Sequence, residues 1–553
     1  MSPRLLPVAV LLAAAVPLGA QHKHYEKDPA ADLPAPSGEL APRLQNLGTY
    51  AFPVSTRKPR AQQFVNQGLR LSYGFNHAEA GRAFREAARL DPGLAMAYWG
   101  EALVLGPNIN VPMAPDDEPK ALEAVQKAVA RKARATPRER AYIDALVQRY
   151  SGKAEDRAAR DRAYADAMRA LAKRYPADLD AATLFAEALM DLRPWGYWMR
   201  DGEPYPETPE TVAAIESVLK RNPNHPGANH LYVHLLEPTA QAARAEASAD
   251  RLRTLMPGAG HMVHMPSHIY MRVGRYADAS ASNDQAVAAD EDYIAQCRAQ
   301  GVYPMGYYPH NIHFLWSASA MEGRSAAAIE AARKVASKVT AEMMTEQPFL
   351  SAFAVVPYYA LTRFGRWDEM LAEPAPEERF LYLKGTWHYA RGLAHAGKGD
   401  LAAAERELVE VQRIAADPAL SFTLFSPNTA AAVLAIAPEV LAGEIAVRRK
   451  DYGPAIAHLE RAVRLEDGLV YTEPAEWHYP PRQALGRALQ LAGRFAEAET
   501  VFWEDLRRNP ENGWSLRGVI EALRAQNKME QAAIVEGRLK KAWARSDVKS
   551  QVR

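Results

Sequence analysis

The stretch that decides the fold is GRFAEAETVFWEDLRRNPENGW, residues 493–514. An aromatic residue follows the leading glycine by two places, an alanine comes three places later, and an amphipathic run then ends before Asn-Pro. Small residues at fixed places let neighbouring helices approach closely. Asn-Pro is typical of a helix end. The stretch therefore predicts one helix of a repeated helix-turn-helix unit.

The same phrase recurs as GRYADAS (274–280), GDLAAAE (399–405) and, with Phe75 in the place of the glycine, FNHAEAG (75–81). The pattern resembles the tetratricopeptide repeat (TPR), and the resemblance covers residues 61–545. It implies an all-α, TPR-like α-solenoid. Such a fold is a right-handed superhelix, here of about nine or ten helix pairs, whose first helices line a concave face. Residues 106–119 and 194–209 break the pattern and predict inserted loops.

The N-terminus predicts export. Residues 1–20 contain an early cation, a short apolar run and a small residue, Ala20, which together are typical of a signal peptide too short to span a bilayer. Leu18 is unusual for a cleavage site, so cleavage after Ala20 stays open, with an uncleaved anchor as the alternative. A periplasmic or secreted protein is expected, with no later membrane span.

Two further segments flank the repeats. Residues 21–60 are polar and proline-rich, which predicts a linker or an arm that follows the surface, and residues 546–553 predict a C-terminal tail.

The composition limits the classes of partner and catalytic site that can be expected. Lys and Arg number 67 against 66 Asp and Glu, so charge gives no reason to expect nucleic acid or an anionic membrane as partner. Cys297 is the only cysteine, which rules out an intramolecular disulfide and suggests a small buried filler. The sequence contains no GxSxG motif, P-loop or dinucleotide-binding glycine pattern.

Histidine is concentrated in one window, residues 225–313. The chain has 15 histidines, and this window contains His225, His230, His234, His261, His264, His268, His310 and His313. His230, His234 and Glu237 fall on one helix face. The triplet at 261, 264 and 268 does so only if the helix continues through Pro266; otherwise the first two lie in a loop. By repeat phase, three first helices would present these rings to one groove.

Two motifs carry a second resemblance. Asn229-His230…His234…Glu237 and AGHMVHMPSHIY (259–270) resemble phrases shared by a set of bacterial and fungal TPR proteins. The resemblance implies a common site and names no reaction.

Clustered neutral imidazoles favour a transition metal, with copper first and zinc or iron as alternatives. The predicted ligands are His230, His234, His261, His264, His268, His310 and His313. A site poor in carboxylates slightly favours oxidation over hydrolysis. In the hydrolytic alternative Glu237 is the candidate general base.

Aromatic side chains near the cluster are candidates for binding a small or peptide substrate, and two aromatic loops, 193–203 and 301–308, are candidates for a lid. The candidates are Trp195, Trp198, Tyr307, Tyr308, Trp316 and His478. Core packing, an anion pocket and metal storage without chemistry stay open. So does a non-catalytic scaffold that binds a peptide or protein partner in the cell envelope. Peptide-binding TPR grooves usually present Asn, Lys and Arg, whereas this one presents His and aromatic residues.

Overall fold

The computed structural model describes residues 38–297, 303–425 and 427–548. The predicted signal peptide (1–20) and the end of the predicted tail lie outside these residues. Within them the chain forms α-helices joined by short connections, and its only β-structure consists of isolated bridges.

The first helices are α1 (Pro59–Tyr73), α2 (His77–Leu90), α3 (Ala95–Leu105), α4 (Glu118–Ala130), α5 (Pro137–Val147), α6 (Arg157–Arg174), α7 (Leu179–Met190) and α8 (Thr208–Arg221). The central helices are α9 (Pro226–Leu236), α10 (Glu246–Leu255), α11 (Gly260–His264), α12 (Pro266–Val273), α13 (Tyr276–Cys297), α14 (Tyr308–Glu322) and α15 (Ser325–Ala336).

The C-terminal helices are α16 (Ala341–Glu346), α17 (Ser351–Ala354), α18 (Val356–Arg363), α19 (Trp367–Ala372), α20 (Leu381–Lys398), α21 (Leu401–Ala415), α22 (Ala430–Leu434), α23 (Ile436–Arg448), α24 (Tyr452–Gly468), α25 (Pro481–Leu491), α26 (Phe495–Arg508), α27 (Gly513–Ala525) and α28 (Met529–Ala542).

The leading glycine of each repeat makes the turn between two helices. Gly274, Gly323, Gly399 and Gly493 all have φ between 75° and 86°, a left-handed conformation that glycine adopts at no steric cost. The alanines that follow are buried between helices, as Ala404 and Ala498 illustrate.

Each helix packs mainly against the helix before it and the helix after it, so the chain is a TPR-like α-solenoid. Among the first helices of consecutive pairs, α9 contacts α12 and α11 contacts α14. These contacts bring the histidine-bearing segments into one layer, as repeat phase predicted.

The described part of the N-terminal segment, residues 38–58, is an arm packed on α1 and α2. The backbone N–H of Leu44 donates to Gln67 (3.0 Å), and that of Phe52 donates to Asn66 (3.0 Å). The Phe52 ring is fully buried. These hydrogen bonds hold the described residues of the segment against α1.

The C-terminal helices curl back onto the middle of the chain. Trp514 donates its indole N–H to the carbonyl of Ala320 (3.1 Å), and Asp547 accepts from the backbone N–H of Ser325 (2.6 Å). A loop that follows α24, residues 469–480, reaches α9 and α12, where the Tyr471 hydroxyl lies 3.4 Å from Glu237. The centre of the solenoid is thereby enclosed.

One stretch, Ala430–Arg448, has the length and composition of a membrane span, although the sequence analysis expected none after the signal peptide. It comprises α22 and α23, and 61% of it is buried inside the fold. Its buried apolar side chains, apart from Val447, belong to a hydrophobic core formed by residues between Val287 and Trp477.

Candidate metal centre

The helix that carries the first pair of histidines begins at Pro226, and His225 caps it by accepting the N–H of Ala228 at Nδ1 (3.2 Å). One turn separates His230 from His234, so both rings leave the same face. His225 lies apart from the other histidine rings, and its Nε2 is 3.4 Å from a carboxylate oxygen of Asp180.

The second histidine segment is helical throughout. Met265, between α11 and α12, has φ −50° and ψ −37°, so Pro266 does not break the helical path. His261, His264 and His268 therefore share a face, and the alternative that placed the first two in a loop does not apply.

Three rings form what we define as the first triad: His230, His234 and His261. Nε2 of His230 lies 3.1 Å from Nε2 of His234 and 3.2 Å from Nε2 of His261. All three side chains are buried. One ligand atom from each lies within 4.8 Å of the other two.

The second triad consists of His264, His268 and His310. Nε2 of His264 lies 2.9 Å from Nε2 of His268, and the His310 ring centre lies 4.9 Å from that of His264. Again one ligand atom from each ring lies within 4.8 Å of the others. The triads are adjacent, since the His261 and His264 ring centres are 5.9 Å apart.

The outer nitrogens of these rings fix their tautomers. Nδ1 of His230 lies 2.6 Å from the carbonyl oxygen of Tyr73, and Nδ1 of His264 lies 2.7 Å from Oδ1 of Asn283. The Asn283 amide is oriented by its own donation to Ser267 (2.8 Å). Because these oxygens only accept, each Nδ1 carries the proton and each Nε2 presents a lone pair to its triad.

Glu237 has the same effect in both triads. One of its oxygens accepts from Nδ1 of His234 (2.9 Å), and the other accepts from Nδ1 of His268. His234 belongs to the first triad and His268 to the second, so this buried carboxylate joins them.

The convergence of lone pairs is what makes the cluster chemically distinctive. At the His230–His234 contact the outer acceptors leave lone pairs on both Nε2 atoms, which lie 3.1 Å apart and repel each other unless a cation lies between them. Nδ1 of His261 is buried without a partner among the described residues, so the tautomer of that ring is not fixed in this way. An ion bound by imidazoles at 2.0–2.1 Å in a tetrahedral arrangement places its ligands ~3.3–3.4 Å apart. Each triad is therefore close to the geometry that a transition ion requires.

Burial keeps most of these rings neutral, because it lowers the pKa of His230, His261, His264 and His310 well below the usual range. His268 differs: burial acts in the same direction, but the neighbouring Glu237 carboxylate outweighs it and raises the pKa. Neutral imidazole is the form that binds metals, so an ion at the second triad would have to displace a proton from His268.

Each triad is covered by a phenylalanine. The Phe75 ring centre lies 4.4 Å from that of His230, and the Phe314 ring centre lies 4.5 Å from that of His268. Phe75 has φ 58°, in the place that glycine takes in other repeats. Sequence reasoning missed its role, although an aromatic residue in a glycine position was the available signal.

The predicted ligand His313 lies apart from both triads. Its ring stacks on Trp316, with centres 5.3 Å apart and planes 2° apart. Burial lowers the pKa of His313 to about 3. The predicted general base Glu237 has both carboxylate oxygens engaged by histidine rings, which favours an orienting role.

The predicted substrate-binding residues separate into two places. Near the first triad, Trp195 is 43% exposed with its ring centre 5.1 Å from that of His234, and the Tyr307 ring centre is 4.6 Å from that of His261. Trp198 donates its indole N–H to Leu235, anchoring the loop that carries Trp195 (2.7 Å).

The others lie further away. Tyr308 donates to Glu291 (2.7 Å). Trp316 and His478 belong to a buried aromatic cluster in which the His478 ring stacks on Tyr359 at 4.2 Å.

Three contributors to the centre were not predicted from sequence. Asn283 orients His264, and Tyr471 reaches Glu237 from the far end of the chain. Glu473 lies 3.4 Å from Nδ1 of His268 and, with Glu237, forms a third group of potential ligands. No local sequence signal identifies them, because the loop meets the histidines only through the closure of the solenoid.

Comparison with known proteins adds little. No family model matches this chain, and no curated protein matches it either. Among solved structures it is similar to the human IFIT1 dimer with m7Gppp-AAAA at 11% identity and a TM-score of 0.30, over 88% of this chain and 91% of that one. Yeast Tom70 is similar at 11% identity and a TM-score of 0.27, again over 88% and 91% of the two chains. Likenesses this weak carry no argument about ligands.

Proposed function

We propose that this chain is a metalloprotein that holds two transition ions, one in each histidine triad, and that it oxidises a small substrate. The observation that carries the proposal is that six buried or partly buried histidine rings bring nitrogen atoms together at two adjacent points inside the solenoid. Structural histidines would orient donors toward acceptors, whereas at the His230–His234 contact the outer acceptors turn two lone pairs toward one another.

The donor set favours copper, with zinc and iron as alternatives. Each triad offers three imidazole nitrogens, and hard ions such as magnesium or calcium select oxygen ligands instead. Two neighbouring ions with nitrogen ligands suit the transfer of more than one electron.

The substrate we propose is a small phenolic molecule, with dioxygen as the oxidant. Two catechols would each give up two electrons and two protons to become quinones. One dioxygen would accept these four electrons and four protons and become two waters. The exposed Trp195 beside His234 offers an aromatic surface for such a molecule. Export to the periplasm or beyond is part of the proposal and rests on residues 1–20.

The first experiment is metal analysis. The full chain is expressed in hosts supplied with copper, zinc and iron, purified without chelator, and analysed by mass spectrometry. We expect two ions per chain, and loss of both in a His230→Ala/His268→Ala double variant whose helicity is intact. His395→Ala, on α20 and outside the triads, is the matched control. Wild-type protein without metal under all three supplements would overturn the proposal.

Dioxygen consumption with catechol then tests the reaction. Copper-loaded protein is expected to consume one dioxygen for every two catechols oxidised, and the double variant none. A zinc-loaded protein without oxidase activity would point to hydrolysis instead.

The alternative is a non-catalytic scaffold, favoured by exposed aliphatic side chains on the last helices, among them Met529 (56% exposed) and Ile534 (69% exposed). A scaffold needs no ion, so the same metal analysis separates the two functions.

A further inference from the structure

Glu237 follows directly after the last residue of α9 and is completely buried. Its two carboxylate oxygens accept hydrogen bonds from rings that belong to different triads, one from His234 at 2.9 Å and one from His268. The other rings with fixed tautomers use separate acceptors, the Tyr73 carbonyl for His230 and the Asn283 amide for His264.

We propose that Glu237 is a positioning residue that orients one ring of each triad for metal binding. Two metal ions would then depend on one carboxylate that neither of them touches. The inference rests on the proposed function. It concerns the control of the same site, because a change at Glu237 would alter both binding positions together.

Glu237 can serve two rings because a carboxylate has two acceptor oxygens. A ring can offer Nε2 to a metal only if its proton sits on Nδ1, and that proton needs an acceptor when the ring is buried. A carboxylate supplies two acceptor oxygens, whereas a carboxamide of the same shape supplies one acceptor and one donor. Glu237→Gln therefore removes one acceptor without changing the size of the side chain.

The surroundings of Glu237 do not replace this function. The Tyr471 hydroxyl lies 3.4 Å from one carboxylate oxygen, and Arg272 donates to the Glu237 backbone carbonyl rather than to the carboxylate (3.1 Å). Glu473 lies 3.4 Å from Nδ1 of His268, further than a normal hydrogen bond. Glu237 is therefore the acceptor on which His268 depends.

Glu237→Gln should produce a half-site protein. The amide oxygen accepts from one of the two rings, and the amide NH₂ forces the other ring to accept at Nδ1 and to carry its proton on Nε2. That ring cannot ligate. We expect one ion bound as in the wild type and the other bound 10- to 100-fold more weakly, the usual effect of removing a ligand-orienting partner.

The test is a titration of the full chain with Co²⁺, followed by its visible absorption and by equilibrium dialysis. Glu237→Asp keeps both oxygens on a shorter side chain, and we expect it to weaken both ions together. Asn283→Leu removes the acceptor of His264 alone and is expected to weaken only the second triad. Circular dichroism checks that each variant is folded.

The outcomes separate the inference from the proposed function. Wild-type protein that binds no Co²⁺ and also carries no copper, zinc or iron in the metal analysis would overturn both. Two ions in the wild type and two equally tight ions in Glu237→Gln would overturn the inference and leave the proposed function standing. Should Glu237→Gln not fold, Glu237→Asp decides: weakening at both positions supports the inference, and unchanged binding rejects it.

Discussion

At the scale of single residues, Phe75 has an unusual backbone conformation. A left-handed backbone costs a non-glycine residue about 1–2 kcal/mol, yet Phe75 adopts it with φ 58° and lays its ring over the first triad. Phe314 covers the second triad from an ordinary helical position. The two residues form a matched pair in which only one is strained.

Phe75→Gly should relieve the strain but uncover the first triad. We expect a chelator to remove one of two bound Co²⁺ ions at least about tenfold faster than from the wild type, because water and chelator then reach the His230 ring. Phe314→Ala should affect the other ion. Equal release of both ions from Phe75→Gly would contradict this assignment.

His313 gives a pH dependence that can be isolated. Burial lowers its pKa to about 3, so below pH 6.5 the unfolded chain takes up a proton that the folded chain refuses. The stabilisation that the folded state gains from a neutral His313 is complete above that pH. It is lost on acidification, so the free energy of unfolding falls by about 2 kcal/mol between pH 7 and pH 5.

His313→Gln should remove this share of the pH dependence. Urea unfolding of the metal-free protein at pH 7 and pH 5 measures it, with His395→Gln on α20 as the control. A variant whose unfolding free energy falls as steeply with pH as that of the wild type would show that His313 is not the titrating group.

At the scale of elements, the turn of π-helix at Tyr303–Tyr307 leads directly into α14, the helix that carries His310. The Tyr303 hydroxyl accepts from the backbone N–H of His261 (3.2 Å) and donates to Asp290 (2.6 Å). Asp290 also accepts from Asn311 on α14 (2.6 Å). This chain of hydrogen bonds fixes the start of α11 against α14.

Tyr303→Phe should therefore destabilise the fold by about 1–3 kcal/mol, because it leaves the buried N–H of His261 and one oxygen of the buried Asp290 carboxylate without a partner. Denaturant unfolding measures the change. Tyr276→Phe is the control, since the hydroxyl of Tyr276 is buried and without a partner among the described residues. Similar losses of unfolding free energy in both variants would show that the hydrogen bonds of the Tyr303 hydroxyl do not stabilise the fold.

The elements also show how far sequence reasoning extends. The glycine and alanine spacing predicted the solenoid because those residues are required by local turns and close helix contacts, as Gly493 and Ala498 illustrate. Repeat phase placed the histidines on one layer for the same local reason. It could not distinguish His310, which joins a triad, from His313, one turn further on, because that depends on helix rotation.

Partners from distant parts of the chain were beyond prediction. Asn283 and Tyr471 reach the centre through tertiary packing, and neither stands in a pattern that marks it. Pairing of a buried nitrogen with a particular oxygen is settled by tenths of an ångström, which sequence spacing does not encode.

At the scale of the whole molecule, the loop 469–480 connects the C-terminal repeats to the centre through Tyr471 and Glu473. Metal binding should therefore order a segment more than 150 residues away in sequence from His310. Hydrogen exchange with and without Co²⁺ tests this: we expect slower exchange in 469–480 and unchanged exchange in α28, which lies outside the centre. Unchanged exchange in the loop would show that the two halves are not coupled.

Helix packing, the covering phenylalanines and the returning loop bury five of the six triad rings, and His310 is partly buried. If the triads hold ions as we propose, an ion added after folding would enter slowly, whereas an ion present during folding would be enclosed as the last repeats dock. Such an ion would outlast brief changes in the surrounding metal supply. The order of synthesis, loading and closure would then influence which element the protein holds, alongside the relative affinities of its ligands.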